Sequence, residues 1–389
     1  MIYIHVPFCR SFCTYCAFYS EIPPRESRSA VLRGYVDSIC AEVKDRWSEL
    51  LSATDPRTLY IGGGTPSLLP VEDVGKMVSA LPEAEYEEFT VEVNPEDIFE
   101  KGEEYVRGLL GLGVNRVSMG VQSFNDDVLH RMGRRHDAGR ALGAVEILRE
   151  AGVENLSIDL IFGMEGIGDE TWENSLRQAI ALRPEHISAY QLSLDEGSAL
   201  SGLAARGKYH EMPEEQCARQ YETLCRALAE AGYVHYEISN FALPGREAVH
   251  NSAYWSRNAY VGLGPGAHSF DGARMRSWNG ELQRKTGGSK GRRYENYCSG
   301  RLQVVGIDST PFYYTRESET LSDEDIRVET IMLGLRTAAG LPEEVLRQSV
   351  DPTSLDRLLS QGQLARRGDQ IHIPENYFFV ADEIIRELI

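Results

Sequence analysis

The chain has 389 residues, with 40 Lys and Arg against 59 Asp and Glu, a formal charge of −19. At 42% apolar and 25% charged residues it has a globular composition and the length to bury a large core, which excludes a collagen, a coiled coil or a disordered chain. No apolar run approaches the roughly 18 residues of a spanning helix, and Met1-Ile-Tyr-Ile-His5 lacks an export signal, so the expected location is the cytoplasm, with membrane contact at most peripheral; the negative balance disfavours nucleic acid.

In chain order, short β-branched and aromatic runs predict strands at Ile2 to Val6, Thr58 to Ile61, Phe89 to Val93, Arg116 to Met119, Leu156 to Phe162 and His186 to Leu192. Between them lie helical patterns. The clearest places Leu32, Val36, Ile39, Cys40, Val43, Trp47 and Leu50 on one face, and others fall near 71–80, 100–112, 138–151 and 171–183. Six such alternations predict an α/β fold with a mostly parallel sheet, either doubly wound or a barrel-like arc, and in both a ligand sits at the carboxyl ends of the strands. The polar motifs follow that rule. Three cysteines come after strand one, Gly62-Gly63-Gly64-Thr65-Pro66 after strand two, Glu92-Val93-Asn94-Pro95 at the end of strand three and Gly120-Val121-Gln122-Ser123 after strand four, while Asp159 lies in strand five.

Beyond about residue 205 the alternation stops. A helix near 214–231, a strand at Val234 to Ile238 and a loop-rich stretch to about 310 form a second segment, and 311–389 a third. The third has helices, a hairpin around Arg367-Gly-Asp-Gln370 and a last helix, a winged-helix-like α+β pattern. Its stretch from 320 onward carries 7 basic and 13 acidic side chains, so DNA contact is not expected.

Seven cysteines without an export signal, three of them at Cys9, Cys13 and Cys16, point to metal rather than disulfides. Three thiolates in one loop suit a [4Fe–4S] cluster with one open iron; a zinc ion would need a further ligand, the nearest being His5 on the strand. The glycines at 62–64 read either as a tight turn or as a backbone that lets a ligand approach closely, with the Thr65 hydroxyl beside it. Asp159, between Ile158 and Leu160, is a buried carboxylate in need of partners, whereas Glu92 at a strand end could be a solvated cap. His250, with Tyr254 and Trp255 nearby, is either a hydrogen-bonded structural residue or an axial ligand. Cys40, Cys217 and Cys225 read as small buried hydrophobes, and Cys298 stays unassigned. Arg284, Lys285, Lys290, Arg292 and Arg293 read as a solvated basic loop or, alternatively, a clamp for carboxylates, and Gly262-Leu-Gly264-Pro-Gly266 as turns.

The run Tyr3-Ile-His5-Val-Pro7-Phe8-Cys9-x3-Cys13-x2-Cys16, followed by Gly62-Gly-Gly-Thr-Pro66, resembles the radical S-adenosylmethionine (SAM) superfamily, and within it the HemN/HemW branch, over essentially the whole chain. The resemblance implies a partial (β/α)6 barrel spanning 1–205, a barrel extension with a heme-motif segment over 206–310, and a C-terminal helical, winged-helix-like domain over 311–389. It implies a cluster on Cys9, Cys13 and Cys16, and SAM contacts from Tyr3, Tyr15, Gly63, Gly64, Thr65, Glu92, Gln122, Arg134 and Asp159. His250-Asn251-Ser-Ala-Tyr254-Trp255 matches the H-N-x-x-Y-W motif associated with heme in the HemW type. Two departures from the dehydrogenase pattern, Phe18 where a fourth cysteine stands and the absence of a segment before the cluster, favour a heme carrier that serves recipient hemoproteins such as respiratory components. Ala17 departs from the Asp common in the carrier type. A homodimer is compatible with the sequence. The alternative is a radical oxidase acting on coproporphyrinogen propionates.

Overall fold

The computed structural model describes residues 1–53, 55–284, 303–305 and 312–389. Lys285, Lys290, Arg292, Arg293 and Cys298 lie outside the described residues. Strands β1 (Ile2–Val6), β2 (Thr58–Gly63), β3 (Glu88–Val93), β4 (Arg116–Gln122), β5 (Leu156–Phe162) and β6 (His186–Gln191) stand side by side in chain order, all parallel. A doubly wound sheet reverses its strand order at a switch point, so this unbroken order decides for the barrel arc. Beyond β6 the wall continues through antiparallel β8 (Asn240–Ala242) to β7 (Val234–Glu237), and β9 (Val261–Leu263) adds a parallel strand beside β1.

The strands alternate in character. Ile4, Leu59, Ile61, Val91, Met119, Ile158, Leu160 and Ile187 are fully buried in the apolar core. The helices over that core are α1 (Arg28–Asp45), α2 (Trp47–Ser52), α3 (Val71–Ala80), α4 (Pro95–Gly111), α5 (Asp126–Arg131), α6 (Ala138–Ala151), α7 (Asp169–Ala181), α8 (Ala199–Ala204) and α9 (Glu214–Glu230), followed by the short α10 (Val249–Trp255). The intervening strand residues, Tyr60, Glu92, Arg116, Ser118, Asp159, Ser188 and Tyr190, line the concave side.

Two helices differ from their predicted extents for identifiable reasons. The pattern over 32–50 is two helices, because the chain leaves helical geometry at Arg46 (φ −106°, ψ 20°). Helix α4 starts before the predicted 100–112, with Pro95 preset for the first helical position; a kink at Gly102 (φ 69°) interrupts its apolar periodicity, which is legible only after the kink.

An antiparallel sheet of β10 (His268–Phe270), β11 (Met275–Asn279), β12 (Gln283–Arg284), β13 (Gln303–Val305) and β14 (Phe312–Thr320) follows. The C-terminal unit has α11 (Asp323–Leu335), opened by a Ser322–Asp325 capping box, then β15 (Leu341–Pro342), α12 (Glu343–Ser349), α13 (Pro352–Ser360) and the hairpin β16 (Ala365–Arg367) and β17 (Gln370–His372). A 3-10 turn (Glu375–Val380) and α14 (Ala381–Arg386) end the chain. Pairing assigns β14 to the antiparallel sheet, so the helical unit begins at the Ser322 cap.

One buried charge joins these layers. The Glu42 carboxylate on α1, wholly buried, accepts hydrogen bonds from Arg46 Nη1 (3.1 Å), Gly264 N (2.8 Å), Asn279 Nδ2 (3.0 Å) and the Tyr314 hydroxyl. Arg46 also donates to the Gly262 carbonyl and pairs with Glu49 at 2.7 Å. Removing one member of such a network strands the rest without solvent. Glu42→Ala is expected to cost about 3–5 kcal/mol, read as a lowered urea midpoint, by separating the β10–β14 sheet from the barrel.

Candidate functional site at the open end of the barrel

The loop after β1 leaves and returns at one point. Cys9 N donates to Glu21 O at 2.9 Å and Glu21 N to Pro7 O at 2.6 Å, so the cysteine-bearing segment is a closed excursion. Three tethers hold it. His5 Nε2 meets Tyr19 O at 3.0 Å, Thr14 N and Oγ1 bind the Met132 and Arg131 carbonyls, and Arg10 reaches Asp97 (3.1 Å) and Glu100 (2.6 Å) on α4. The three thiols are thereby fixed facing a cavity of about 790 Å³ at the carboxyl ends of the strands. Burial pushes the Cys9 and Cys16 thiols up.

The walls come from the following βα turns. Gly64 N is bound to Val6 O at 2.8 Å, and a side chain on Gly64 would lie 2.8 Å from Phe8 O and 3.0 Å from Cys9 Sγ, so only glycine allows the turn to lie against the cysteine loop. Thr65 donates to Cys9 Sγ at 3.6 Å and accepts from Asn94 Nδ2 at 3.1 Å. Glu92 accepts from the Tyr60 hydroxyl (2.8 Å) and from Gly63 N (3.0 Å), which makes it the strut of the glycine turn; burial raises its pKa to about 7.

Arg134 crosses the cavity. It donates to Cys13 Sγ (3.4 Å), Asn94 Oδ1 (2.8 Å) and Gly120 O (2.6 Å), and its buried Nε has no partner. A buried cation beside a thiol, with one donor left over, suits an anionic ligand. Gln122, at a β4 bulge with φ 68°, also lines the cavity. Asp159 accepts from Ser118 at 3.5 Å and is raised by desolvation, with Ser188 and Arg116 offsetting part of that rise.

Cys9, Cys13, Cys16, Tyr15, Gly63, Gly64, Thr65, Glu92, Gln122, Arg134, Asp159 and Asn251 therefore share one cavity. Tyr3, His250, Tyr254 and Trp255 do not line it. The Tyr3 hydroxyl is 2.9 Å from His5 Nδ1, and its ring lies 6.0 Å from that of Tyr60, which does line the cavity. Of the two readings of His250, the structure shows the hydrogen-bonded one: the residue is 1% exposed, with Nδ1 at 2.7 Å from Thr58 Oγ1 and Nε2 at 3.0 Å from the Tyr254 hydroxyl. Its backbone N–H and that of Val249 bind Glu88, so α10 stands at the amino ends of β2 and β3 as the barrel floor. Tyr60, Arg116, Ser118, Ser188 and Tyr190 line the cavity without having been singled out. Their signal was in the sequence: polar residues at every second position of strands whose other positions are apolar.

Residues 3–179 match the radical SAM superfamily. The chain is 32% identical to the heme chaperone HemW of Bacillus subtilis over 98% of this chain and 97% of that one. It is 34% identical to the heme chaperone HemW of Synechocystis over 92% and 82% respectively. The solved coproporphyrinogen III oxidase HemN of Escherichia coli, a radical SAM enzyme, superposes with a TM-score of 0.74 at 19% identity, covering 99% of this chain and 89% of that one, which shows a shared fold. No helix among the described residues is long and apolar enough to cross a membrane.

Two outcomes follow. Gly64→Ala should keep the fold, monitored by circular dichroism, yet take up less iron and sulfide on reconstitution, because the added methyl presses on Phe8 and Cys9. His250 is held neutral with its pKa lowered to about 3, against 6.5 unfolded, so its contribution to stability is lost as pH falls through that window. Glu92 has the opposite sign, since its raised pKa favours the fold below about 7. The thermal midpoint of His250→Gln should therefore fall less steeply than wild type between pH 7 and 5.

Proposed function

The chain belongs to the HemW family of the radical SAM superfamily, and on that premise we propose that it is a cytoplasmic heme chaperone, binding heme and passing it to hemoproteins, respiratory components among them. Cys9, Cys13 and Cys16 would hold a [4Fe–4S] cluster that, together with S-adenosylmethionine, supplies reductive radical chemistry when bound. This chain's residues position those groups. The tethered loop would present three thiolates to the cluster, one ligand fewer than its four irons. Arg134, oriented by Asn94 and Gly120, offers its spare Nε to a carboxylate. Gly63, Gly64 and Thr65 present backbone and hydroxyl to an amino group, Glu92 braces that turn, and Asp159 with Ser118 and Ser188 offers acceptors and donors to a ribose. Gln122, Tyr15 and Asn251 enclose the remainder of the cavity.

The observation that carries the chaperone reading is the rim of the cavity. Phe18 is 75% exposed and Phe12 58% exposed on the cysteine loop, and Tyr190 near the end of β6, 42% exposed, lines the same cavity. A flat macrocycle stacks on such aromatic surface, and Phe18 replaces the thiol of the dehydrogenase pattern. For His250 to reach a heme iron, one ring nitrogen would have to give up its partner, Nε2 the Tyr254 hydroxyl or Nδ1 the Thr58 hydroxyl, and the buried ring would have to become accessible. Heme is therefore assigned to the rim, and H-N-x-x-Y-W to the floor beneath it.

The test uses the cluster-reconstituted protein under anaerobic conditions. Heme titration should show tight binding that Phe18→Ser weakens by about tenfold or more while His250→Gln leaves it within about twofold, and the loaded protein should donate heme to an apo-hemoprotein. Incubation with coproporphyrinogen III, SAM and a low-potential reductant should leave the porphyrinogen unchanged. Protoporphyrinogen formed in step with 5′-deoxyadenosine would make the protein an oxidase instead.

A further inference from the structure

Outside the cavity lining, three potential ligands from three elements converge. Cys225 lies on α9, His235 on β7 and Glu375 at the start of the 3-10 turn that closes the C-terminal unit. Cys225 Sγ is 3.9 Å from His235 Nδ1, Glu375 Oε1 is 3.0 Å from the same nitrogen, and the three ligand atoms all lie within 4.8 Å of one another. These spacings match those between neighbouring ligands around a tetrahedral ion with bonds of about 2.0–2.3 Å.

The histidine is built into place. Its ring stacks on Phe241 (centroids 4.0 Å apart, planes 17°) and meets the edge of Phe378 at 4.9 Å. Nε2 points at the Ile238 carbonyl, 3.3 Å away, which also accepts from the Tyr221 hydroxyl at 2.9 Å. A donor on Nε2 leaves Nδ1 with its lone pair facing Cys225 and Glu375, the tautomer a metal ligand needs, and a carbonyl behind the non-ligating nitrogen is the usual outer support. Glu375 is itself an acceptor, so without a cation the neutral ring cannot satisfy both Ile238 and Glu375. His235 is almost wholly buried, whereas half of the Glu375 side chain is exposed, which provides an entry path and room for water as a fourth ligand.

We propose that Cys225, His235 and Glu375 bind a divalent ion of the zinc class, a structural clip between the C-terminal unit and the barrel extension. Thiolate, imidazole and carboxylate are all zinc ligands, and the two anionic groups neutralise the ion. Binding releases the thiol proton and changes no oxidation state.

The experiment titrates zinc(II) alone into the full-length protein with its iron–sulfur cluster loaded, so that Cys9, Cys13 and Cys16 are occupied. Metal analysis should find one zinc per chain in addition to iron. Cys225→Ser should weaken it by more than about 100-fold and Glu375→Gln by about tenfold or more. Cobalt(II) in the same protein should show a thiolate charge-transfer band that Cys225→Ser abolishes. Should Cys225→Ser fail to fold, the exposed Glu375→Gln gives the same comparison in affinity and in the zinc-dependent rise of the thermal midpoint. A cluster-loaded wild type that takes up no zinc, or variants that retain wild-type affinity, would overturn the site.

Discussion

The feature on which the rest of the structure depends is the period-two alternation in its parallel strands. Residues at alternate positions point to opposite faces, so Thr58, Tyr60, Glu88, Thr90, Glu92, Arg116, Ser118, Asp159, Ser188 and Tyr190 fall on the concave side, and their apolar neighbours on the convex side under the helices. A sheet with one polar and one apolar face cannot be sandwiched between two helical layers without stranding charges. It curves, and the polar face becomes the lining of a cavity. Arg116, 2% exposed, stands among the inward carboxylates and lowers the cost of ionising Glu92 and Asp159.

A polar interior needs closure at its lower end, and α10 supplies it. Glu88 holds the first N–H groups of that helix, and Thr58 and Tyr254 hold the two nitrogens of His250. The floor and the cavity are thus parts of one hydrogen-bonded column, with Tyr60 linking the two: its ring lies 5.1 Å from His250 and its hydroxyl binds Glu92. Glu92 in turn holds the glycine turn, and the turn presses on the cysteine loop. Asn251, next to His250, already lines the cavity.

Much of the candidate site was legible in the sequence because its chemistry is local. Cys9, Cys13 and Cys16 share one loop, and Gly63, Gly64 and Thr65 share one turn, so spacing alone points to a metal centre beside a tight turn, and the resemblance supplies the cluster and its ligand. Asp159 and Gln122 stand out at strands five and four in the sequence, the resemblance adds Arg134, and the three come together only when β4 and β5 stand side by side. Arg116, Ser118, Ser188 and Tyr190 belong to no local motif: each is one polar residue in an apolar strand, and its place in the cavity follows only from the face that the strand turns inward. Tyr3 belongs to the cysteine motif, yet it supports His5 rather than the cavity. Cys225 reads as a small buried hydrophobe because its partners lie elsewhere in the chain, His235 10 residues on and Glu375 140 residues beyond His235.

By itself, the sequence determined the alternation of strand and helix, the cysteine triad with its glycine turn, and the helices-then-hairpin pattern of the C-terminal unit, because each is set by periodicity or spacing within a few residues. Only the tertiary structure decided between a doubly wound sheet and a barrel arc, since that depends on which strands become neighbours. It also decided which ring nitrogens are free. His250 carries the same side chain whether it faces a heme or a barrel floor; Tyr254, one helical turn on, holds one nitrogen, but the other is held by Thr58, 192 residues away, a contact that no local pattern encodes.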